Sequence, residues 1–315
     1  MQTRQLGKNG PQLSAIGFGA WAIGGPWQFG WGKVDDSESV NAIHAAIDNG
    51  INWIDTAAVY GFGHSEEVVG KALKGMKEKV FVATKCGLVN DGRGSVINNL
   101  QPESIRKEIE ASLRRLGTDC IDLYQIHKPD PNVPIEISWE VMLRLKEEGK
   151  VKYVGVSNYD SFMMGKCIET AYVQSLQPPY SLIKREVDEN ILPYCAKNEI
   201  GVVVYSPMQA GLLSGTFDMQ KVAEDDWRRN NPYFSEPKLS SALSLVEKFI
   251  PIAAKQNKTV GQLAIAWTLK NPAVTSAIVG ARNAEQVKQN VDASNYIMSD
   301  DEYLHVINLA KEFGL

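Results

Sequence analysis

Short apolar runs recur along the chain, and a stretch with the pattern of an amphipathic helix follows each of them. Most of the runs are rich in valine and isoleucine without strict polar alternation, which is typical of parallel strands buried on both faces. Strand and helix alternating eight times predict a (β/α)8 barrel, and a chain of 315 residues fits that fold as one domain, residues 1–315. The runs are LSAIGFG (13–19), INWID (51–55), KVFVATK (79–85), CIDLYQIH (120–127), VKYVGVSN (151–158), VQSLQ (173–177), GVVVYSP (201–207) and SAIVGAR (276–282).

A doubly wound sheet is the main competing architecture. The glycine-rich segment GFGAWAIGG after the first run lacks the GxGxxG spacing, and no clear helix follows it at once. The barrel is therefore favoured. The longest gap lies between the seventh and eighth runs, and residues 207–238 at its start are polar and lack an apolar period. This segment is predicted to be a long functional loop.

Helix boundaries can be assigned from residues with well-defined positional preferences. Pro102 suits a first helical position, and Gly117 suits the position after the end of the same helix. Ser299, followed by Glu302, predicts a capping box that opens the last helix.

Bulk composition limits the classes of partner. The formal net charge of −4 and the pI of about 5.7 argue against nucleic acid as the main partner, because phosphate binding needs a basic surface. No apolar stretch reaches the ~18 residues of a membrane helix, and MQTRQLGKNG is not a secretory signal. The four cysteines match no zinc spacing, so reduced thiols, a cytoplasmic location and no metal are expected.

Ionisable side chains stand where the predicted strands end. Asp55 ends the second strand, Lys85 the third and His127 the fourth, while Tyr60 lies in the loop after the second. Active sites of such barrels lie at the carboxyl ends of the strands, so these four residues are predicted to surround one opening. Singly, each has an ordinary structural explanation. Their combination at one edge of the barrel favours an acid–base site.

The four side chains form a chemically coherent set. A tyrosine with a pKa of ~10 is a poor acid at neutral pH, and a neighbouring ammonium lowers that pKa. Lys85 is expected to supply the charge, and Asp55 to keep Lys85 protonated and oriented. Tyr60 then acts as general acid toward a carbonyl oxygen, which His127 positions through a hydrogen bond.

Several longer motifs resemble the aldo-keto reductase family over nearly the whole chain. They are DTAAVYGFGHSEEVVGKAL, ATK, LGTDCIDLYQIHKPD, VKYVGVSN, VVYSPMQAGLLSG and IVGARNAEQVKQN. The resemblance implies a (β/α)8 barrel without metal that reduces aldehydes and ketones with a nicotinamide cofactor, usually NADPH. It implies that Tyr60 is the proton donor, that Lys85 and Asp55 tune it, and that His127 orients the carbonyl.

The resemblance also implies cofactor contacts. Three residues match those that hold the nicotinamide carboxamide: Ser157, Asn158 and Gln177. Tyr180 is expected to be the aromatic residue that stacks on the nicotinamide. The segment that covers the pyrophosphate is matched by Tyr205, Ser206, Pro207, Gly211, Leu212 and Ser214. Backbone N–H groups in such a turn can bind phosphate. The adenosine end is matched by Gly280, Arg282, Gln286 and Asn290.

The adenosine end also has a physical rationale. Asn283 suits the N-cap of the following helix, with Gln286 at its third position, and a helix N-terminus attracts anions. Gln286 and Asn290 are four residues apart and share a face. Arg282 beside them can pair with a ribose 2′-phosphate, which favours NADPH over NADH. Many relatives carry a lysine soon after the second glycine of LLSG, whereas here Lys221 comes later.

The tract after the first strand, GGPWQFGWGK, is unusually aromatic. Trp21, Trp27 and Trp31 are predicted either to line a substrate pocket or to pack over the barrel rim. The favoured function is an NADPH-dependent carbonyl reductase acting on a small molecule. Two alternatives remain open: a redox-sensing subunit like the potassium-channel β-subunits of the family, and a polyol or sugar dehydrogenase that runs mainly toward oxidation.

Overall fold

The computed structural model describes residues 1–76 and 79–315. Within these ranges, eight parallel strands close into a barrel, as the sequence predicts. In order around the barrel they are β3 (Ile16–Gly19), β4 (Trp53–Asp55), β5 (Phe81–Cys86), β8 (Ile121–Ile126), β9 (Val151–Ser157), β10 (Ser175–Gln177), β11 (Gly201–Tyr205) and β12 (Ser276–Gly280), which pairs again with β3. Each of these strands lies within or overlaps one of the eight predicted apolar runs.

Helices surround the barrel and bury its outer face. They are α1 (Asp36–Asp48), α2 (His64–Ala72), α3 (Pro102–Leu116), α4 (Ile135–Glu147), α5 (Ser161–Thr170), α6 (Ile191–Lys197), α7 (Lys238–Ala254), α8 (Val260–Lys270), α9 (Ala284–Asp292) and α10 (Asp300–Glu312). The predicted ends of α3 are confirmed, with Pro102 in the first turn and Gly117 in the left-handed conformation. The Ser299 side chain accepts a hydrogen bond from the Glu302 N–H at the start of α10.

Two short hairpins were not predicted. β1 (Thr3–Gln5) and β2 (Gln12–Ser14) pair antiparallel, and Leu6 after β1 and Leu13 of β2 are buried together with Trp53 and Leu123 from the barrel interior. This hairpin closes the amino end of the barrel. β6 (Leu88–Asn90) and β7 (Val96–Asn98) form the other hairpin, directly after β5 at the carboxyl end. The asparagine, aspartate and glycine residues at its turn were a usable signal.

A close contact inside the barrel accounts for one glycine. A Cβ atom at Gly17 on β3 would lie 2.2 Å from the Trp53 ring on β4. The indole fills the interior there, and its Nε1 donates to Ser276 Oγ on β12 at 3.0 Å. The absence of a side chain at Gly17 therefore makes room for the Trp53 indole. The indole fills the barrel interior at this level, and the cavity lies at the carboxyl end of the strands.

The segment after β11 is confirmed as irregular at its start. Residues 207–237 contain short 3-10 turns at Leu212–Ser214, Met219–Lys221, Trp227–Asn230 and Pro232–Phe234, and α7 and α8 follow. Among the described helices, none combines the length and the hydropathy needed to cross a lipid bilayer.

Candidate active site

The four predicted acid–base residues meet at the carboxyl end of the barrel. Asp55 ends β4, Lys85 is in β5, His127 follows β8, and Tyr60 begins a 3-10 turn after β4. Lys85 Nζ lies 2.7 Å from Asp55 Oδ1 and 3.3 Å from the Tyr60 hydroxyl. The rings of Tyr60 and His127 are perpendicular, with centroids 5.8 Å apart. The predicted grouping is therefore present in the fold.

Asp55 and Lys85 form a buried ion pair, with 3% and 1% of their surfaces exposed. Burial raises the pKa of Asp55 and lowers the pKa of Lys85, while their mutual attraction opposes both shifts. Both carboxylate oxygens accept an N–H, since Gln177 Nε2 donates to Oδ2 at 2.8 Å. An arrangement in which both oxygens accept matches the ionised form of Asp55.

The pKa of Tyr60 shifts in the direction opposite to the expectation from sequence. Burial, followed by the negative charge of Asp55, raises the pKa of Tyr60 well above its ordinary value. The hydrogen bond from Lys85 does not reverse this, because removing the phenol from water disfavours phenolate more strongly. Tyr60 is therefore protonated at neutral pH, which is the form that a proton donor requires.

His127 is held as a neutral imidazole. Burial, followed by the positive charge of Lys85, lowers the pKa of His127 well below its ordinary value. Its backbone is fixed by the Asn158 side chain, whose Nδ2 donates to the His127 carbonyl at 2.9 Å. A neutral imidazole carries one ring N–H, so it can donate a hydrogen bond without competing with Tyr60 as the acid.

The turn that carries Tyr60 is anchored from behind by a second ionic group. Gly63 has φ of 108°, and a Cβ atom there would lie 2.7 Å from Arg115 Cδ. The Arg115 guanidinium lies 2.6 Å from Glu66, which is fully buried on α2. The other Glu66 oxygen accepts from the Thr84 hydroxyl on β5 at 2.5 Å. This pair therefore links the helix after Tyr60 to the strand that carries Lys85.

Glu108 of α3 lies near the Glu66–Arg115 pair, and its protonation leads to a prediction on how stability depends on pH. Burial raises the pKa of Glu108 from 4.5 to about 8, although the Gly87 N–H donates to it. The folded chain thus retains a proton that the unfolded chain loses near pH 4.5, so the folded state binds more protons in this interval. The contribution of Glu108 to stability falls as the pH rises from about 5 to about 8.

Glu108→Gln should flatten this pH dependence. Glutamine is neutral at every pH and keeps an acceptor oxygen for the Gly87 N–H. We expect the free energy of unfolding at pH 8 to rise by on the order of 2 kcal/mol relative to the unaltered chain, and to be little changed at pH 5. Urea titrations at a series of pH values measure this. Glu110→Gln on the exposed face of the same helix is the control, and an unchanged slope in Glu108→Gln contradicts the prediction.

A cavity of about 760 Å³ opens above the four residues. Tyr60, Asp55 and His127 line one end of it, and residues of α9 line another part. Predicted cofactor residues that line it are Ser157, Asn158, Gln177, Tyr205, Ser206, Pro207, Gly211, Ser214, Gly280, Gln286 and Asn290. Most of the predicted cofactor positions are thus brought to one cavity.

The prediction for Tyr180 is wrong. Tyr180 is fully buried, its hydroxyl donates to Asp188 at 2.6 Å, and its ring packs 4.9 Å from Trp267 of α8. A ring enclosed in this way has no face for a ligand. Tyr205 at the end of β11 lines the cavity instead, and its hydroxyl donates to Asn158 Oδ1 at 2.9 Å.

The predicted pyrophosphate segment is arranged differently from the expectation in two respects. Leu212 is fully buried and does not line the cavity. Backbone N–H groups of Gln209, Gly211 and Ser214 donate to carbonyls within the turn, so these N–H groups are already used. Ser206 and Ser214 line the cavity with their polar side chains. Lys221 is exposed and paired with Asp218, away from the cavity lining.

The residues predicted for the adenosine end reach the cavity only in part. Asn283 caps α9 as predicted, and its side chain accepts from the Gln286 N–H at 2.9 Å. Gln286 and Asn290 both line the cavity. Arg282 lies outside the lining and is exposed, with its guanidinium 5.9 Å from the centre of the Trp31 ring. No acidic side chain of the described residues lies within ion-pair distance of Arg282.

The tryptophans after β3 line the cavity rather than only packing on the rim. Trp21, Trp27 and Trp31 all contribute to its wall, together with Trp227 from the long segment. Trp21 contacts both Trp31 and Trp227, at centroid distances of 5.3 and 5.6 Å. Trp27 lies 5.8 Å from the Tyr60 ring. The wall on the Tyr60 side of the cavity is therefore mostly aromatic.

Sequence reasoning missed part of the cavity. Leu88 and Val96 reach it from the β6–β7 hairpin, and Thr259, Gly261 and Gln262 reach it from the start of α8. The capping box formed by Thr259 and Gln262 marked that helix start in the sequence. Within the described ranges, no group of three histidine, cysteine or acidic residues is placed to hold a metal ion.

The chain is similar to known proteins both in sequence and in structure. The model of the Aldo/keto reductase family matches residues 15–310. The aldo-keto reductase YhdN of Bacillus subtilis is 39% identical over 306 residues, which cover 96% of this chain and 91% of that protein. The NADH-specific methylglyoxal reductase of Escherichia coli is 38% identical over 315 residues, covering 95% of each.

Two solved structures are similar to this chain over nearly its whole length. The glycerol dehydrogenase AKR11B4 of Gluconobacter oxydans superimposes with a TM-score of 0.90 at 39% identity, covering 99% of this chain and 96% of that one. The holo form of the aldo-keto reductase AKR11C1 of Bacillus halodurans gives a TM-score of 0.83 at 28% identity, with coverage of 98% and 96%.

Proposed function

This chain belongs to the aldo-keto reductase family, and from that premise we propose that residues 1–315 form one domain that interconverts carbonyl compounds and alcohols with NADPH as cofactor. Tyr60 is the proton donor, Lys85 and Asp55 hold it, and His127 orients the carbonyl. The observation that carries this proposal is the contact of Lys85 Nζ with both the Tyr60 hydroxyl and Asp55 beneath one cavity.

The residues present fit a nicotinamide cofactor. The cavity extends from Tyr60 to the α9 residues Gln286 and Asn290, and is lined by side-chain amides and hydroxyls along its length. Gln177 would hold the carboxamide, with Asn158 and the Tyr205 ring beside it. A reduced nicotinamide supplies a hydride to the carbonyl carbon when it is bound. The aromatic wall around Trp27 excludes water from the carbonyl carbon and from Tyr60.

The protein's own contribution is to deliver one proton and to fix one oxygen. Tyr60 is protonated at neutral pH, so its hydroxyl can donate to a carbonyl oxygen as negative charge develops there. The ammonium of Lys85 lies 3.3 Å from the same hydroxyl and stabilises the phenolate that is left. His127, kept neutral, donates an N–H to the substrate oxygen and positions it. In the oxidative direction, the Tyr60 phenolate accepts the proton.

A second candidate direction has a specific observation in its favour. One structural neighbour is a glycerol dehydrogenase, while a sequence relative is a methylglyoxal reductase. The same Tyr60 and Lys85 arrangement serves both directions, so oxidation of a small polyol stays the alternative. Among the described residues that line the cavity, Asp55 is the charged one, and it is already paired with Lys85, so the proposed substrate carries no charge that needs a partner.

The test of the proposal is binding followed by turnover. The purified chain is titrated with NADPH and NADH while nicotinamide fluorescence is recorded, and the conversion of methylglyoxal, aromatic aldehydes and glycerol is then followed at the nicotinamide absorbance. Binding with turnover supports the reductase or dehydrogenase. Binding without turnover of any carbonyl or alcohol supports the redox-sensing alternative, and no binding of either cofactor contradicts all three.

Arg282→Ala gives the sharpest test of cofactor preference. A guanidinium without an acidic partner can pair with a 2′-phosphate, which NADPH carries and NADH lacks. We expect the Kd for NADPH to rise about tenfold or more, and the Kd for NADH to change less than about twofold. Fluorescence titration measures both.

The control for this variant is Lys288→Ala, which removes the same charge from an exposed position of α9 and should leave both constants nearly unchanged. Equal loss of affinity for both cofactors in Arg282→Ala would show that Arg282 does not read the 2′-phosphate.

A further inference from the structure

Gln177 connects the acid–base residues to the cofactor side of the cavity. It is the last residue of β10, 2% exposed, and its Nε2 donates to Asp55 Oδ2 at 2.8 Å. Asp55 Oδ1 accepts from Lys85, which in turn donates to the Tyr60 hydroxyl. A continuous row of hydrogen bonds therefore runs from Tyr60 across the barrel to Gln177. The sequence predicted Gln177 only as a ligand of the carboxamide.

The charge of Asp55 determines which way the Gln177 amide faces. An ionised carboxylate has acceptors and no donors, so the nitrogen of the amide must be the atom next to it. The amide oxygen, on the other branch, is then directed away from Asp55 and is left to accept a donor. Without the carboxylate, the two ends of the amide are nearly equal in shape and either could face inward.

The other two candidate carboxamide residues are already engaged. The Ser157 hydroxyl donates to the backbone carbonyl of Gln177 at 2.7 Å. Asn158 donates from Nδ2 to His127 and Ser157, and its Oδ1 accepts from the Tyr205 hydroxyl. The Gln177 amide uses one N–H on Asp55, which leaves its acceptor oxygen beside the cavity that Gln177 lines.

We propose that Asp55 has a second role, as a positioning residue for the cofactor that acts through Gln177. By holding the nitrogen of that amide, Asp55 presents the amide oxygen to the NH2 group of a nicotinamide carboxamide. This inference rests on the proposed function. It means that one carboxylate both retains the Lys85 ammonium beside the proton donor and orders the residue that holds the reacting ring.

A double-mutant cycle on cofactor affinity tests this coupling. The Kd for NADPH is measured by fluorescence titration for the unaltered chain, Asp55→Asn, Gln177→Met and the double variant. Gln177→Met should raise the Kd about three- to tenfold, because one hydrogen bond is lost. Asp55→Asn should raise it by a similar factor when Gln177 is present, and by less than about twofold when residue 177 is already methionine.

The cycle separates the possible routes of influence. If Asp55 influences cofactor binding through Lys85 or by stabilising the fold in general, Asp55→Asn raises the Kd for NADPH by the same factor whether residue 177 is glutamine or methionine. Equal factors in the two backgrounds therefore overturn the proposal. An unchanged Kd in Gln177→Met also overturns it. Tyr60→Phe is the matched control, since it stops proton donation while Asp55, Lys85 and Gln177 stay in place, and its Kd should equal that of the unaltered chain.

Two further results keep the test decisive. If Asp55→Asn does not fold, the same cycle is run with Asp55→Ala, which also removes the acceptor that the Gln177 N–H binds. Its effect on the Kd for NADPH should likewise shrink to less than about twofold in the Gln177→Met background, and an equal effect in both backgrounds contradicts the coupling. If the unaltered chain binds neither NADPH nor NADH, the proposed function itself fails, which is a distinct outcome from additive mutations.

Discussion

Tyr60→Phe is expected to lower kcat by about 10²- to 10⁴-fold, the usual contribution of a positioned general acid. Phenylalanine keeps the ring that packs 5.8 Å from Trp27 and 5.8 Å from His127. It removes only the hydroxyl, which is the group that Lys85 contacts. The Kd for NADPH should change less than twofold (about 0.4 kcal/mol or less), because the hydroxyl serves the substrate oxygen. Steady-state turnover and fluorescence titration on the same preparation measure both quantities.

The matched control is Tyr153→Phe. Tyr153 of β9 carries the same hydroxyl, but its ring packs near Phe81 and does not line the cavity. Its turnover should equal that of the unaltered chain. If Tyr60→Phe keeps near-full turnover, Tyr60 is not the proton donor. If it loses cofactor affinity in parallel with turnover, the hydroxyl contributes to binding and the separation of roles argued above is wrong.

Local pattern was sufficient to predict the barrel and the convergence of Asp55, Tyr60, Lys85 and His127. The carboxyl ends of parallel strands meet at one edge, so Asp55, Lys85 and His127 had to converge once their strands were recognised. Tyr60 lies only five residues after Asp55, on a short turn, so the same argument extends to it. No long-range information was needed, because the closed sheet itself brings these positions together.

The prediction for Tyr180 failed because local sequence pattern does not show which distant residues a side chain packs against. It follows Gln177 closely in sequence, yet two prolines separate them, and its side chain is buried outside the cavity lining. The Tyr180 ring then packs on Trp267, a residue of α8 that no local pattern connects with it. Tyr205 lines the cavity because it ends a strand, as the lining residues Ser157 and Gln177 do. Position at a strand end was a better guide than proximity to a predicted ligand.

The predicted lowering of the Tyr60 pKa is wrong for a related reason. Sequence indicates which charged residues are near, and from that alone Lys85 was expected to lower the pKa. It does not indicate how completely the phenol is removed from water, and that burial is the largest influence on the pKa. The bond from Gln177 to Asp55 was likewise not predictable, since it depends on the relative height of two strands on opposite parts of the barrel.

Arg115→Met is expected to lower the free energy of unfolding by about 3 to 5 kcal/mol, the usual cost of leaving one buried charge without its partner. Glu66 is fully buried, and its carboxylate is bound by Arg115 at 2.6 Å and by the Thr84 hydroxyl. After the change, the hydroxyl alone remains to balance a charge in a low-dielectric setting. Methionine retains much of the arginine stem that packs beneath Gly63. The lost stability should therefore come mainly from the unpaired charge of Glu66 and not from lost packing.

Two comparisons separate this explanation from simple loss of packing. Arg106→Met breaks the exposed pair with Glu148 and should shift the urea midpoint little, because water already screens that pair. Adding Glu66→Gln to Arg115→Met removes the stranded charge and should recover a large part of the lost stability. If the double variant is no more stable than Arg115→Met, the loss comes from packing and the buried carboxylate is not its cause.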